Sequence, residues 1–287
     1  MGVYIVTGAN GGIGRAIVRA LASRNCRVIM ACRNPEKALK AREEIVQETG
    51  NTSLEIRSLD LSSLTSVKHF AEALVEEKAD IQVLFNNAGI MCRDFGRTED
   101  GIETMTQVNY LAPWLLTRLL LPLMGRSGVS RIVNTSSCTY RLGRIDEHFF
   151  QASADAYRLF RIYGRAKLAV LLFTLELADR LKNKPIVSHV SDPGVVNTGM
   201  ITMHRWFDPL TDIFFRPFIK SPEKGALPAL YLALSPEAEN RNGLFRKEKG
   251  DIHLPAWVKE PGLRKKLWKM TEERLEISGF KNILPEV

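Results

Sequence analysis

Tyr163 and Lys167, in Tyr163-Gly164-Arg165-Ala166-Lys167, are the pair in this sequence best suited to moving a proton. On a helix, a spacing of four puts both side chains on one face. A phenol with an ordinary pKa of about 10 is a poor acid–base group at neutral pH. A neighbouring ammonium stabilises the phenolate and lowers that value. The pair therefore suits proton exchange with a substrate oxygen. Two further clusters give it context. In Thr7-Gly8-Ala9-Asn10-Gly11-Gly12-Ile13-Gly14, Gly8, Gly12 and Gly14 remove Cβ atoms where a pyrophosphate must approach the backbone. A helix opening there offers free N–H groups and a positive dipole end. In Met30-Ala31-Cys32-Arg33-Asn34, a carboxylate would bind the ribose hydroxyls of NAD. Arg33 instead suits a 2′-phosphate, which it can pair with in a charge-assisted contact. NADP(H) is thus favoured over NAD(H), and Arg15 and Lys37 add positive potential.

These residues need elements to position them. Apolar runs at 3–7, 27–32, 54–59, 82–85, 131–134 and 186–191 predict strands. Between them, 13–23, 35–48, 64–77, 104–124, 159–181 and 222–234 predict helices. Asn34 is the expected N-cap of the second helix, with Pro35 in its first turn, and Pro113 should kink the long fourth one. Continuous apolar strands alternating with helices predict an α/β fold. It is a doubly wound parallel sheet of Rossmann type, covered on both faces, in a single domain over 1–287. Ligands then bind beyond the carboxyl ends of the strands. Two segments interrupt the alternation at strand ends. One is a polar connection with aromatics over 138–158. The other is a substrate loop over 198–221, holding Met200, Met203, Trp206, Phe207, Phe214, Phe215 and Phe218. Residues 250–287 form a C-terminal extension with an amphipathic helix candidate over 263–276, where Trp268 and Ile277 are its docking candidates.

Composition narrows the class. The 287 residues are 45% hydrophobic and 25% charged, an ordinary globular balance. No uninterrupted apolar run of about 18 residues predicts a transmembrane helix. The net charge of +8 is spread along the chain rather than clustered, which argues against a nucleic-acid footprint. Cys26, Cys32, Cys92 and Cys138 form no C-x-x-C pair and have no His at zinc-like spacing. Free thiols, no metal and a reducing, cytoplasmic location are expected.

The glycine turn has the spacing T-G-x-x-x-G-x-G and so resembles the short-chain dehydrogenase/reductase family. Asn86-Asn87-Ala88-Gly89 resembles that family's N-N-A-G motif, the Tyr163/Lys167 pair its Y-x-x-x-K, and Asp192-Pro193-Gly194 its P-G motif. The resemblance covers about residues 2–235. It implies that Tyr163 exchanges the proton and that Lys167 binds the nicotinamide ribose and tunes Tyr163. Ser137 of Asn134-Thr135-Ser136-Ser137 would hydrogen-bond the substrate oxygen, with Ser136 as the fallback, and Asn109 would hold a water in the proton relay. The implied cofactor contacts are Gly8, Asn10, Gly12, Ile13, Gly14, Arg33, Asp60, Leu61, Asn87, Ala88, Gly89, Tyr163, Lys167, Pro193, Gly194 and Thr198.

Ser137 and Tyr163 stand 26 residues apart, about twice the usual family spacing. That lengthening, Ala31-Cys32-Arg33 and Leu142-Gly143-Arg144-Ile145 resemble the retinol-dehydrogenase-like branch. Asp192 departs from it, since the branch often has His there. The chain opens at its first strand with no anchor segment. The implied function is NADP(H)-dependent hydride transfer on a carbonyl or alcohol carbon, and the aromatic loop favours a lipophilic substrate. A cofactor-binding sensor without turnover and a reductase of enone double bonds are the alternatives. A peripheral membrane contact and a homo-oligomer built on the two long helices remain open.

Overall fold

The computed structural model describes residues 2–196, 220–280 and 284–285. Its strands are β1 Val3–Thr7, β2 Arg27–Cys32, β3 Leu54–Ser58, β4 Ile81–Asn86, β5 Ser130–Thr135 and β6 Ile186–Ser191. Two short ones, β7 Phe245–Lys247 and β8 Gly250–Asp251, follow later in the chain. The sheet order is β3-β2-β1-β4-β5-β6-β7-β8. All pairings are parallel except β7–β8. The strand order reverses beside β1, between β2 and β4, where such sheets open a crevice at their carboxyl ends. The sequence signals missed β7 and β8 because three and two residues carry no readable alternation.

Helices α1 Gly12–Ala22 and α2 Pro35–Thr49 lie on one face, and α3 Leu64–Glu76 on the other. Asn34 Oδ1 accepts the Lys37 N–H at 2.8 Å, which confirms the expected cap. The predicted single helix over 104–124 is a composite, α4. It is α-helical at Thr104–Thr106, π-helical at Gln107–Leu111, and α-helical again at Ala112–Leu120. Pro113 stands in the first turn of that last part, directly after the π-helical residues. Helix α5 Leu159–Arg180 follows the long connection, and α6 Pro222–Leu234 packs with α1 on the first face.

The C-terminal segment forms helix α7 Pro261–Ile277. Its buried Trp268 stacks on Phe173 of α5 at 6.0 Å and meets Trp114 of α4 edge-on at 5.1 Å. The guanidiniums of Arg118 and Arg180 lie over its ring at 5.1 and 4.1 Å. Tyr110 Oη and Thr271 Oγ1, both buried, sit 2.6 Å apart. Thus α7 lies across both long helices. Among the described residues, no helix is long and apolar enough to cross a membrane.

Candidate active site

The turn between β1 and α1 is shaped for a group that brings its own negative charge. Gly8 and Gly12 have positive φ, +65° and +47°. A Cβ on Gly14 would stand 2.1 Å from the Gly8 carbonyl oxygen and 2.7 Å from Asn87 Nδ2. The N-cap of α1 is Gly11, so no side chain caps its first N–H groups. In contrast, α2, α3 and α6 are capped by Asn34, Ser63 and Ser221. An uncapped, positively polarised helix start beside close-packed glycines fits a pyrophosphate.

Thr7 explains why the motif begins with a hydroxyl residue. Its Oγ1 donates to the Phe85 carbonyl at 3.2 Å and accepts the N–H groups of Asn87 and Ala88, each at 3.0 Å. Asn87 Nδ2 returns to the Thr7 carbonyl at 2.9 Å. Asn86 donates to Asn134 Oδ1 at 2.7 Å and to Thr117 Oγ1 at 2.8 Å, and Asn134 donates to Thr174 at 3.0 Å. This buried ladder fixes the ends of β4 and β5 against α4 and α5. Both asparagine side chains of the N-N-A-G stretch are therefore engaged in the scaffold.

Just beyond β2, Arg33 is exposed and has no hydrogen bond or ion pair among the described residues. Arg15 is instead paired with Glu44, so the positive potential expected from it is largely neutralised. Asp60 Oδ1 accepts the N–H and hydroxyl of Ser62 at 2.8 and 2.6 Å. Leu61 packs its side chain into the core. The Cys32 thiol lies against the backbone of Ala9 and Asn10, and burial pushes it up to about 11. It is an inert structural thiol. No cysteine is disulfide-bonded, and no metal-ligand cluster occurs among the described residues.

The reacting groups come from three elements. Ser137 ends the β5 segment and caps a 3-10 turn, Cys138–Leu142, accepting the Thr139 N–H at 3.3 Å. Ser136 is buried, and its hydroxyl donates to the Lys167 carbonyl at 2.8 Å. That removes it as the fallback, and Ser137, half-buried, is the hydroxyl left for a substrate. The 3-10 turn rests on α5 through two glycines. A Cβ on Gly164 would lie 2.7 Å from the Thr139 carbonyl oxygen, and one on Gly143 2.5 Å from the Gly164 carbonyl oxygen. These contacts hold the Ser137 turn against the residue after Tyr163. The sequence signal was present in the two glycines but had no partner to point to.

Lys167, fully buried, donates to the Thr135 carbonyl at 2.9 Å, and its Nζ lies 5.5 Å from the Tyr163 ring centre. Burial pulls its ammonium down to about 8, while the Asp192 carboxylate opposes that change. The Tyr163 phenol is held well above its ordinary value, by burial first and by the Asp192 and Cys138 charges next. This reverses the expected lowering by Lys167.

Asn109 sits in the π-helical turn of α4, a distortion that often marks a functional site. Its side chain is fully engaged by Ile90, accepting the N–H at 2.8 Å and donating to the carbonyl at 2.9 Å. Its own carbonyl has no donor four residues on, because Pro113 lacks an N–H. The Asn109 side chain thus has both of its amide ends committed to the backbone of Ile90.

The wall beside Tyr163 is apolar, built from Met105 and Ile162 with Ile90, Met91, Cys92, Tyr157 and Leu159. The long connection before α5 folds onto that wall. Tyr157 Oη donates to the Cys92 carbonyl at 2.5 Å, and Arg97 donates to the Ala152 carbonyl at 2.8 Å. Pro193 and Gly194 (φ +76°) follow β6 on the same side. Thr198 and the loop over 198–221, except residues 220 and 221, lie outside the described residues.

Comparison with known proteins agrees with this arrangement. Residues 2–206 match the family model for short chain dehydrogenase. Retinol dehydrogenase 12 of Mus musculus is 37% identical over 275 residues, covering 96% of this chain and 86% of that protein. Retinol dehydrogenase 11 of Homo sapiens is 38% identical over 276 residues, covering 94% and 84%. A solved structure of an uncharacterized protein from Mycobacterium Paratuberculosis superposes with a TM-score of 0.76 at 30% identity, covering 96% of this chain and 94% of the other. The chain belongs to the short chain dehydrogenase family, in its retinol-dehydrogenase-like branch.

Proposed function

We propose that this oxidoreductase reduces the carbonyl carbon of a lipophilic aldehyde or ketone with NADPH, and runs the reverse alcohol oxidation with NADP. One observation carries the reading: the pairing of Tyr163 and Lys167 on α5 beside Ser137, at the sheet end that also holds the uncapped start of α1. Bound NADPH would supply the hydride. Tyr163 donates the proton to the developing alkoxide, and Ser137 hydrogen-bonds the same oxygen. Lys167 holds the nicotinamide ribose. Asn109 would hold the water through which the proton is replaced.

Cofactor choice rests on Arg33, an exposed guanidinium beyond β2 with no partner among the described residues to neutralise it. The backbone of Gly8, Asn10, Gly12, Ile13 and Gly14 would receive the pyrophosphate, and Asp60 and Leu61 would border the adenine. Ala88, Gly89, Pro193 and Gly194 would complete the nicotinamide side. The substrate class follows from the wall beside Tyr163, whose lining is aliphatic, aromatic and sulfur-bearing. The net charge of +8 and the aromatic residues between 200 and 218 are compatible with a cytoplasmic protein that also contacts a membrane surface.

The test is NADPH oxidation by the purified protein over a panel of lipophilic aldehydes, ketones and enones, with products identified. Alcohol products support the reading. Saturated ketones from the enones would assign the site to double-bond reduction. NADPH binding without turnover on any panel member would favour a sensor.

A further inference from the structure

The lengthened connection between Ser137 and Tyr163 ends at Tyr157, just before α5. A turn closed by the Tyr157 N–H on the Ala154 carbonyl at 3.1 Å sets its backbone. The side chain reaches across to the segment after β4. Its hydroxyl donates to the Cys92 carbonyl at 2.5 Å and lies 4.0 Å from Met105 Sδ. The same sulfur accepts the Cys92 N–H at 3.3 Å. The Tyr157 ring meets Phe95 edge-on at 5.9 Å, and the Arg97 guanidinium lies over Phe95 at 5.3 Å. Met105, Ile162 and Tyr163 form one buried apolar cluster, and Tyr157 packs against it. Besides Tyr163, it is the one aromatic ring among the described residues of that wall.

A ring anchored at its backbone and at its hydroxyl cannot swing aside for a wide ligand without giving up a hydrogen bond. Methionine is different: its unbranched thioether chain adapts to what it meets. Tyr157 is thus the rigid member of a wall that otherwise yields. We propose that Tyr157 is a specificity-determining residue: clasped to the Cys92 backbone, its ring fixes the width of the apolar wall beside Tyr163. It thereby sets the girth of the lipophilic compound whose carbonyl reaches Tyr163. The inference rests on the reading of the site as a carbonyl reductase. Burial first, and the Glu103 charge next, hold the Tyr157 phenol above its ordinary value, so its hydroxyl stays a donor.

The connection has other anchors that hold it in place. Gly143 packs on Gly164 of α5. Asp146 lies 3.3 Å from Arg165 Nη2, and the Arg165 guanidinium stands 5.3 Å from the centre of the Phe149 ring. The Ala152 carbonyl accepts from Arg97 at 2.8 Å. With these contacts intact, removal of the Tyr157 ring takes away part of the wall and leaves the connection attached. The space released lies against Met105 and Ile162, the residues that pack with Tyr163.

The experiment measures kcat/KM with NADPH for two aldehydes: decanal, an unbranched chain, and 1-naphthaldehyde, a fused double ring. It compares wild type, Tyr157→Ala, Tyr157→Phe and Tyr157→Trp. A single methylene of room in an apolar pocket changes discrimination by about 10- to 200-fold. Tyr157→Ala is therefore expected to raise the naphthaldehyde-to-decanal ratio at least about tenfold. Its loss on decanal should fall on KM more than on kcat, since the wall binds and does not react. Tyr157→Phe keeps the ring and loses the clasp, so its ratio should lie between those two proteins. Tyr157→Trp should lower the ratio below wild type. A residue that only supports the fold would slow both aldehydes alike, and an unchanged ratio in Tyr157→Ala overturns the inference. If Tyr157→Ala fails to fold, Tyr157→Trp decides, and a ratio at or above wild type overturns it. Wild type that reduces neither aldehyde refutes the carbonyl-reductase reading instead. The wall is then tested by quenching of bound NADPH fluorescence with the same two aldehydes. The same shift in the ratio of their dissociation constants is expected. An unchanged ratio, or no quenching in any variant, overturns the inference.

Discussion

Replacing Gly14 by Ala should break the cofactor turn, and the size of the effect follows from its neighbours. The new Cβ would stand 2.1 Å from the Gly8 carbonyl oxygen, so an atom must move by at least about 1.3 Å to reach ordinary contact. That oxygen cannot yield easily. Gly8 is tied to β2 by its N–H on the Ala31 carbonyl at 2.9 Å. The second neighbour, Asn87 Nδ2 at 2.7 Å, is held by the Thr7 carbonyl. Overpacking against fixed backbone costs about 3 kcal/mol. For a domain of this size, that lowers Tm by about 5–10 °C. Gly11→Ala is the matched control: its Cβ meets nothing within 4 Å and its φ of −158° is extended. The control should cost about 0.5 kcal/mol as a poorer cap. Thermal unfolding followed by circular dichroism reads the stability, and NADPH fluorescence titration reads the site. A Gly14→Ala protein that melts with wild type and binds NADPH normally would refute the steric reasoning. So would a Gly11→Ala protein as damaged as Gly14→Ala.

Other outcomes follow from the same structure. Arg33→Ala should weaken NADPH binding by about tenfold and leave NADH unchanged, as calorimetric titration would read; equal losses would refute the 2′-phosphate assignment. His189 is buried on β6 beside Arg131 and Arg241, and burial first, then those charges, pull it down to about 4. Because the folded value lies below the unfolded one of about 6.5, the unfolded chain takes a proton that the folded chain refuses. Stability should therefore fall as pH drops from 6.5 to 4, by about 3 kcal/mol in total, and His189→Leu should flatten that part of a urea-unfolding pH profile. Trp268→Ala removes the side chain wedged between Trp114 and Phe173 and should cost about 3–5 kcal/mol. Light scattering should give the monomer mass of 32.3 kDa for wild type and association once α7 no longer covers the long helices.

The elements legible in the sequence were those with enough length to show a period. Six strands and the helices from α1 to α6 appeared within a few residues of their positions, and Asn34 announced a cap that the structure contains. The chemistry-bearing residues stood out because their types are costly elsewhere: glycines at positive φ, and a lysine buried beside a tyrosine. What was hidden depends on distant partners. The π-helical turn at Asn109 has the same apolar pattern as the α-helix around it, and only Pro113 hinted at a break. The engagement of Ser136 by the Lys167 carbonyl, of Arg15 by Glu44 and of Asp192 by Lys247 joins residues from 29 to 55 positions apart. No local spacing encodes such pairs. The reversal of the Tyr163 expectation has the same origin, since enclosure of the ring is a property of the assembled wall.

The most direct test of the account is one turnover of the NADPH-loaded protein with a lipophilic aldehyde, wild type against Tyr163→Phe. The account predicts that the variant binds NADPH as wild type does and transfers hydride at least about a hundredfold more slowly. A variant that reduces the aldehyde at the wild-type rate would contradict it.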